Sequence, residues 1–362
     1  MVHEYFSKMQ NQIENPKLQT AMPLKLLLLV ILACFHPQFC CSMASNTAAK
    51  KGIAAIAQLR SSGNKLANLA AVAECARLAR QRKASMLFLP ECFGFIGETS
   101  DQTLENAEDP SSVDNKTSVQ NNESVSSFLR SACTDTPETL LTTTVGSQIS
   151  ILDGLRTIAK ESNLWISGGG MHIGGAPPDE TEGSPRVYNT HLVLDEKGHI
   201  QALYRKIHLF DVSIPGKVEL RESKTTAPGT ELVLCDSPLG KKTGSVNLLR
   251  YAISGIVSGI GEAGSTDSVD AISIYSRAIE SQCYVLAAAQ VGNHNGKRES
   301  FGHSLAVDPW GTILADAGGA KSTPSAFDDA PSIVTCEIDL EAIDSIRQRM
   351  PIGMHRDNAK FS

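Results

Sequence analysis

An apolar run of strand length, residues 52–59 (GIAAIAQL), closes on Arg60-Ser61-Ser62-Gly63, and the chain then changes period. Over residues 64–83 the apolar side chains Leu66, Leu69, Ala70, Ala73, Ala76, Leu78 and Ala79 recur at helical spacing with charges between them, and Asn64 stands where an N-cap belongs. Residues 86–89 return to a short apolar run, which Pro90 stops. A chain that alternates in this way between strand and helix periods buries helices against a sheet. That favours a layered α/β domain over an all-α or all-β one.

The alternation resumes farther on. Residues 149–162 are a helix candidate, and a strand starting at 164–167 runs into Gly168-Gly169-Gly170 and Met171-His172-Ile173. Residues 188–194 and 199–204 flank Asp195-Glu196-Lys197-Gly198, a hairpin turn. Residues 283–291 read as one buried strand, 304–308 pair with 312–315 across Pro309-Trp310-Gly311, 332–338 form a last strand and 340–350 a last helix. Residues 100–147 differ: Ser, Thr, Asn, Asp and Glu dominate. Too little apolar surface is available there to offset the ordering entropy, so most of this span is expected to be a mobile insertion. It carries two glycosylation triplets, Asn115-Lys116-Thr117 and Asn122-Glu123-Ser124, which matter only if the chain is secreted.

Composition closes off several function classes. A formal charge of -6 over 362 residues offers no electrostatic attraction for nucleic acid. The nine cysteines are an odd number, scattered, without a Cys-x-x-Cys pair or zinc spacing, so they read as reduced thiols in a packed interior; neither a disulfide framework nor a metal site is expected. His172, His208 and His303 lack a second ligand nearby and read as satisfied strand-end residues. Gly259-Ile260-Gly261-Glu262-Ala263-Gly264 fits the dinucleotide fingerprint, but the βαβ repeats that give the fingerprint meaning are missing around it, so no cofactor is expected. One segment could touch a membrane: residues 26–35 (LLLLVILACF), with Lys25 before and Ser42, Ala44 and Ser45 after. It is short for a spanning helix and suits a cleaved leader, most cleanly with a start at Met22, whereas a start near Met43 would remove it. The expected organisation is a leader or disordered extension over 1–50, a domain over 51–351 and a tail over 352–362, in a cytoplasmic or organellar setting unless a Met22 leader directs secretion.

Three charged residues stand out chemically. Glu91 follows Pro90 at the end of an apolar strand, where desolvation is expected to raise its pKa toward the range of a general base. Lys206 lies among Leu203, Tyr204, Ile207 and Leu209, a setting that is costly for a lysine without a carboxylate partner. Glu222, after the Pro215-Gly216 turn, can be that partner. Two carboxylates around one lysine suit amide hydrolysis: one takes a proton from a thiol, the lysine stabilises the oxyanion and the other carboxylate orients it.

The segments around these residues resemble a known family. LFLPECFGFI is similar to the Glu motif of the nitrilase, or carbon–nitrogen hydrolase, superfamily, YRKIHLFDVSIPG to its Lys motif, and Arg221-Glu222-Ser223 to its second glutamate. FGHSLAVDPWGTIL and Arg277-Ala278-Ile279-Glu280 also look like family signatures, and Phe93-Gly94-Phe95-Ile96 with the Gly-Gly-Gly-Met-His segment is closest to the deaminated-glutathione amidases. The resemblance implies a four-layer α-β-β-α sandwich, a homodimer through a helical face, no metal or cofactor, and hydrolysis of a small linear amide. It implies general-base, oxyanion and orienting roles for Glu91, Lys206 and Glu222.

The family also needs a nucleophilic cysteine in a Cys-Tyr-Asp-x-Arg-Phe type motif. Here Ser237-Pro238-Leu239-Gly240 is followed by Lys241-Lys242-Thr243-Gly244-Ser245-Val246-Asn247, and no cysteine occurs between Cys235 and Cys283. Cys235 comes too early and Cys283 too late, and the Cys92 side chain is expected on the far side of its strand from Glu91. The family's Pro-Ser-Ala-Phe strand and Gly-x-x-His-Trp loop are absent too, so residues 241–276 read as an aberrant segment that leaves a hole in the core. Losing strand, loop and nucleophile together points to a skipped or shifted coding segment. The expected result is an inactive hydrolase, the contrasting one a non-catalytic binding or scaffold protein.

Overall fold

In the computed structural model, which describes residues 51–114, 123–134, 149–214, 218–245, 256–258, 269–296, 298–319 and 330–352, the change of period at Asn64 becomes strand, helix, strand. These are β1 (Lys51–Leu59), α1 (Lys65–Gln81) and β2 (Met86–Phe88). Asn64 caps α1, its side-chain oxygen accepting from the Ala67 N–H at 3.1 Å. β1 and β2 pair in parallel with Ala54 opposite Met86, so α1 is the crossover between them.

The chain continues through α2 (Ser100–Glu105), α3 (Glu123–Thr134), α4 (Ile151–Ser162), β3 (Trp165–Ile173), β4 (Tyr188–Leu194) and β5 (Ile200–Arg205). A small hairpin follows, β6 (Asp211–Ile214) with β7 (Val218–Arg221), then β8 (Val233–Ser237), β9 (Gly240–Ser245), β10 (Ile256–Ser258) and α5 (Val269–Ser281). The rest is β11 (Tyr284–Ala287), β12 (Ala289–Asn295), β13 (Arg298–Phe301), β14 (Leu305–Val307), β15 (Ile313–Asp316), β16 (Ser332–Asp339) and α6 (Leu340–Arg349). One sheet has the order β13-β12-β1-β2-β3-β4-β5, with β16 pairing along β1; the other has the order β15-β14-β11-β10-β9-β8.

Side-chain alternation sorts these strands into layers. Along β1, Ala55, Ala57 and Leu59 join Leu87, Leu89, Leu192 and Leu194 in a cluster under α1, α3 and α4. Their neighbours Ala54 and Ile56 join Met86, Phe88, Val193, Leu286 and Ala306 in a second cluster between the sheets. Being buried on both faces is why β1 and β2 read as unbroken apolar runs. A third cluster seats Ile274 and Ala278 of α5 on Val285, Ala287, Leu305 and Val307 of the second sheet. The layers therefore run helices, sheet, sheet, helix, as the α/β reading of the sequence expects.

Three local expectations need correction. The span 100–147 does not loop out as one insertion: α3 packs Val125, Leu129, Ala132 and Cys133 into the core against α1 and α4. That helical stripe was masked by the Ser and Thr residues around it. Residues 283–291 are not one strand. β11 belongs to the second sheet and β12 to the first, so the chain crosses between sheets at Ala288. The span 241–276 is not missing from the second sheet either. β9 and β10 pair in parallel, Ile256 opposite Thr243, and β10 also pairs with β11. Backbone ladders accept sequences of any side-chain pattern, so Ile256-Val257-Ser258 takes the central place. The leader, both glycosylation triplets up to Asn122, the Gly259–264 fingerprint and the tail beyond Ile352 lie outside the described residues. No described helix is long and apolar enough to cross a membrane.

Candidate active site

Glu91 lies just past the end of β2, in a loop that folds over Gly168-Gly169-Gly170 of β3. Gly169 has φ +54°, and a Cβ there would collide with the Pro90 carbonyl; a Cβ at Gly170 would strike the Asn189 side chain and come within 3.0 Å of Glu91 Cγ. The triple glycine thus lets the carboxylate loop lie directly on the strand. Leu89 and Cys92 N–H groups donate to Ser167 O at 2.9 Å and Gly170 O at 2.7 Å, fixing it there. From the other side the Gln290 amide of β12 donates to Glu91 O at 3.0 Å.

Lys206 follows β5, with its N–H donating to Asn189 O at 2.8 Å and its carbonyl accepting from the Gly229 N–H at 2.8 Å. Glu222 opens a short helical turn after β7, and its Oε2 accepts from the Phe210 N–H at 2.7 Å. The sequence-expected trio meets at one point. Lys206 Nζ is 3.1 Å from Glu91 Oε1 and 3.0 Å from Glu222 Oε2. Glu91 is 6% exposed and Lys206 8%, so the ion pairs are shielded from water.

Asn189, which sequence reading passed over, completes the set. Its amide donates to Glu91 Oε1 and, at 3.2 Å, to Glu222 Oε1, bridging the two carboxylates opposite the lysine. The signal was present: Asn189, Thr190 and His191 are polar residues inside an otherwise apolar strand, and all are buried.

The expected rise of the Glu91 pKa is overturned. Burial pushes the carboxyl up, but the Lys206 charge and the hydrogen bonds from Lys206 and Asn189 outweigh it and hold Glu91 below the usual carboxylate range. Burial likewise works against the Lys206 charge, and the two carboxylates reverse it, so the ammonium is held above its ordinary pKa. Glu91 Oε2 is buried and accepts no hydrogen bond within the described residues. It is the oxygen of the trio left open to a proton from a reacting group.

A cleft lined by Cys92, Gly94, Phe95, Thr103, Asn106, Ile151, Met171 and His172 lies beside the carboxylate loop; its clear space is about 10 Å³, room for one water molecule, and no member of the trio lines it. Cys92 lies beyond the end of β2, so strand alternation does not set its direction. It has left the strand, adopts φ +58° and faces the cleft. Its thiol is pushed up to about 12, mainly by burial, so it is protonated at neutral pH and a weak nucleophile. Cys235 is pushed up to about 11 and Cys283 to about 12, again mainly by burial; Cys283 is packed under α5. His172 is kept neutral by burial despite Glu91 and Glu222 nearby. His303 lies 3.0 Å from Asp316 and stacks on Phe301. Among the described residues no group of three or more His, Cys, Asp and Glu side chains is placed to hold a metal ion.

Residues 53–248 and 268–348 match the family described as Carbon-nitrogen hydrolase, with the match broken only over 249–267. The chain is 33% identical over 320 residues to the nitrilase and fragile histidine triad fusion protein NitFhit of Drosophila melanogaster, covering 84% of this chain and 57% of that protein. It thus spans little more than half the length of the fusion protein. It is 30% identical over 339 residues to deaminated glutathione amidase of Bos taurus, covering 89% of this chain and 87% of the relative. The crystal structure of the C. elegans NitFhit protein superposes with a TM-score of 0.61 at 28% identity, covering 86% of this chain and 66% of that one.

Proposed function

The chain belongs to the carbon–nitrogen hydrolase family, and on that premise we propose that its site binds small linear amides of the deaminated-glutathione type, with turnover lost for want of the nucleophile. The observation that carries this reading is the buried Glu91–Lys206–Glu222 trio, its two carboxylates bridged by Asn189. Such a set is costly to bury and is rare as scaffolding, whereas it suits the charge changes of acyl transfer.

In the complete reaction a thiol gives its proton to Glu91 Oε2, the sulfur attacks the amide carbon, and Lys206 stabilises the oxygen that becomes negative. The C–N bond then breaks as the protonated Glu91 returns its proton to the leaving nitrogen, and water opens the thioester by the same route in reverse. Glu222 and Asn189 hold Lys206 and Glu91 in register throughout. This chain has the proton acceptor and the cation; a cysteine in the expected place is missing from its sequence. Removing the nucleophile from such a set costs on the order of a millionfold in turnover.

The test is hydrolysis of deaminated glutathione by the purified chain. Release of the cleaved amine at the background rate is expected, and turnover of even one per minute would overturn the loss of activity. If turnover appears, Cys92→Ala decides whether the cleft thiol supplies it. Sequencing the transcript across residues 236–280 tests the shifted-segment reading; a frame encoding Cys followed closely by Asp and Arg supports it.

A further inference from the structure

The carboxylate loop is held from outside the trio as well as within it. Glu91 O accepts from the Gln290 amide at 3.0 Å, and Phe93 O accepts from the Ser61 hydroxyl at 2.9 Å. Gln290 and Ser61 are themselves locked together: the Ser61 N–H donates to Gln290 Oε1 at 3.0 Å, and the Gln290 amide donates to Ser61 Oγ at 2.9 Å. Ser61 follows β1, and Gln290 lies on β12 opposite Leu59. Two carbonyls of the loop, on either side of Cys92, thus hang from one buried pair.

Behind that pair stands His294, itself buried. Its Nδ1 lies 2.8 Å from Ser61 O and its Nε2 2.8 Å from Ser300 Oγ. A carbonyl only accepts, so Nδ1 carries the hydrogen and donates, and Nε2 is left to accept from the Ser300 hydroxyl. Burial pushes the ring below its ordinary pKa, against the pull of the Ser61 carbonyl and with help from the Arg60 charge. The ring is therefore neutral, with the one donor and one acceptor that its two contacts need. The backbone is bent to bring it there. His294 is the unpaired residue of a bulge in β12: Asn293 stands opposite Glu299 and Asn295 opposite Arg298, and Gly292 before it has φ +72°. A bulge interrupts the ladder and re-aims a side chain, a device common beside functional sites.

We infer that His294 is a positioning residue: through Ser61 and Gln290 it sets where the Glu91 loop, and with it the Glu91 carboxylate, lies against Lys206. An apolar ring of similar size would fill the same space but leave Ser61 O without its donor, so Ser61 and the two carbonyls that depend on it would be free to shift together. The inference deepens the reading of the trio as an amide site, on which its affinity readout rests.

The test compares the full chain with His294→Phe and His294→Asn by NMR of the glutamate carboxyl carbons at neutral pH, with Glu91→Gln identifying the Glu91 signal. His294→Phe cannot donate to Ser61 O and should move that signal; His294→Asn can donate there and should return it to its native position. Affinity for deaminated glutathione, by calorimetric titration, should fall about tenfold in His294→Phe and recover to within about twofold in His294→Asn. A histidine with a merely structural role would lower the melting temperature of both variants and leave the Glu91 signal where it was. An unmoved signal in folded His294→Phe, or one moved as far by His294→Asn, overturns the assignment. A signal that moves and returns in chains that bind no amide supports the positioning role and removes the amide reading; an unmoved signal in chains that bind the amide does the reverse. If His294→Phe does not fold, the native chain still decides: nitrogen NMR must show His294 protonated at Nδ1 alone, and a hydrogen on Nε2 overturns the assignment.

Discussion

Glu91 and Lys206 are stable in the interior only as partners. Lys206→Met leaves Glu91 and Glu222 facing each other without a cation, and urea denaturation at pH 7 should show a loss of about 3–5 kcal/mol. The acid response should also change sign. In the native chain Glu91 titrates below its unfolded value of 4.5, so its stabilisation is complete above that pH and is lost as pH falls through the folded pKa. Without Lys206, only the Asn189 hydrogen bond opposes burial and Glu222 is left facing Glu91, so Glu91 gains a preference for its proton and the variant should gain stability on mild acidification. His191 gives a second pH signature. Burial pushes its ring down to about 4, while the unfolded ring titrates near 6.5. Between those values only the unfolded chain takes up the proton, so stability falls as pH drops through that window, by about 3 kcal/mol in all. His191→Asn should flatten this limb in denaturation curves taken from pH 7 to pH 4. Glu91 and Lys206 were legible in the sequence because each is a charge set in or beside an apolar run, and Glu222 because Lys206 needs a carboxylate partner and the Pro215-Gly216 turn brings the chain back. The partner that joins them, Asn189, was marked only as one of three polar residues inside an apolar strand, and which of the three faces the trio is not decided until the strand's neighbours are known. The direction of the Glu91 shift was not legible, since the sequence suggests both the burial and the ammonium that opposes it but not how close the two charges come.

At the scale of elements, β3 decides how close the carboxylate loop can come. Gly169→Ala adds a methyl group against the Pro90 carbonyl at a positive φ, and should cost at least about 2 kcal/mol while displacing Glu91. Binding of deaminated glutathione should fall more steeply than the melting temperature, because the loop moves before the sheet opens. In α3, Leu129→Ala should cost about 2–5 kcal/mol, measured by denaturation, although it lies in a span whose composition suggests a loop. Most elements could be read because their period or capping residue is local: Asn64 announces α1, and Gly198 turns the β4–β5 hairpin. Assignments failed where the deciding partner is distant. Nothing local tells β11 from β12, since both are apolar and contiguous; only pairing with different sheets separates them at Ala288. β10 was weak in the sequence because residues 251–257 could be a strand but glycine and serine interrupt its apolar residues.

For the whole molecule, the inter-sheet cluster is the common floor on which both sheets rest. Phe88 is one of its largest members and is almost fully enclosed, so Phe88→Ala should lower stability by about 3–5 kcal/mol and loosen the Glu91 loop that begins shortly after it. The pairing of β16 along the whole of β1, from Lys51 opposite Asp339 to Gln58 opposite Ser332, has a consequence for how the protein is made. The first described strand of the domain waits for a neighbour that is the last of the described strands to leave the ribosome. Until then one edge of β1 is open to any other extended chain, and translation at about 5–20 residues per second makes the wait many seconds long. A nascent chain of this design is a natural client for chaperones, and a message truncated before the codons of β16 would yield an aggregate rather than a weaker version of the fold.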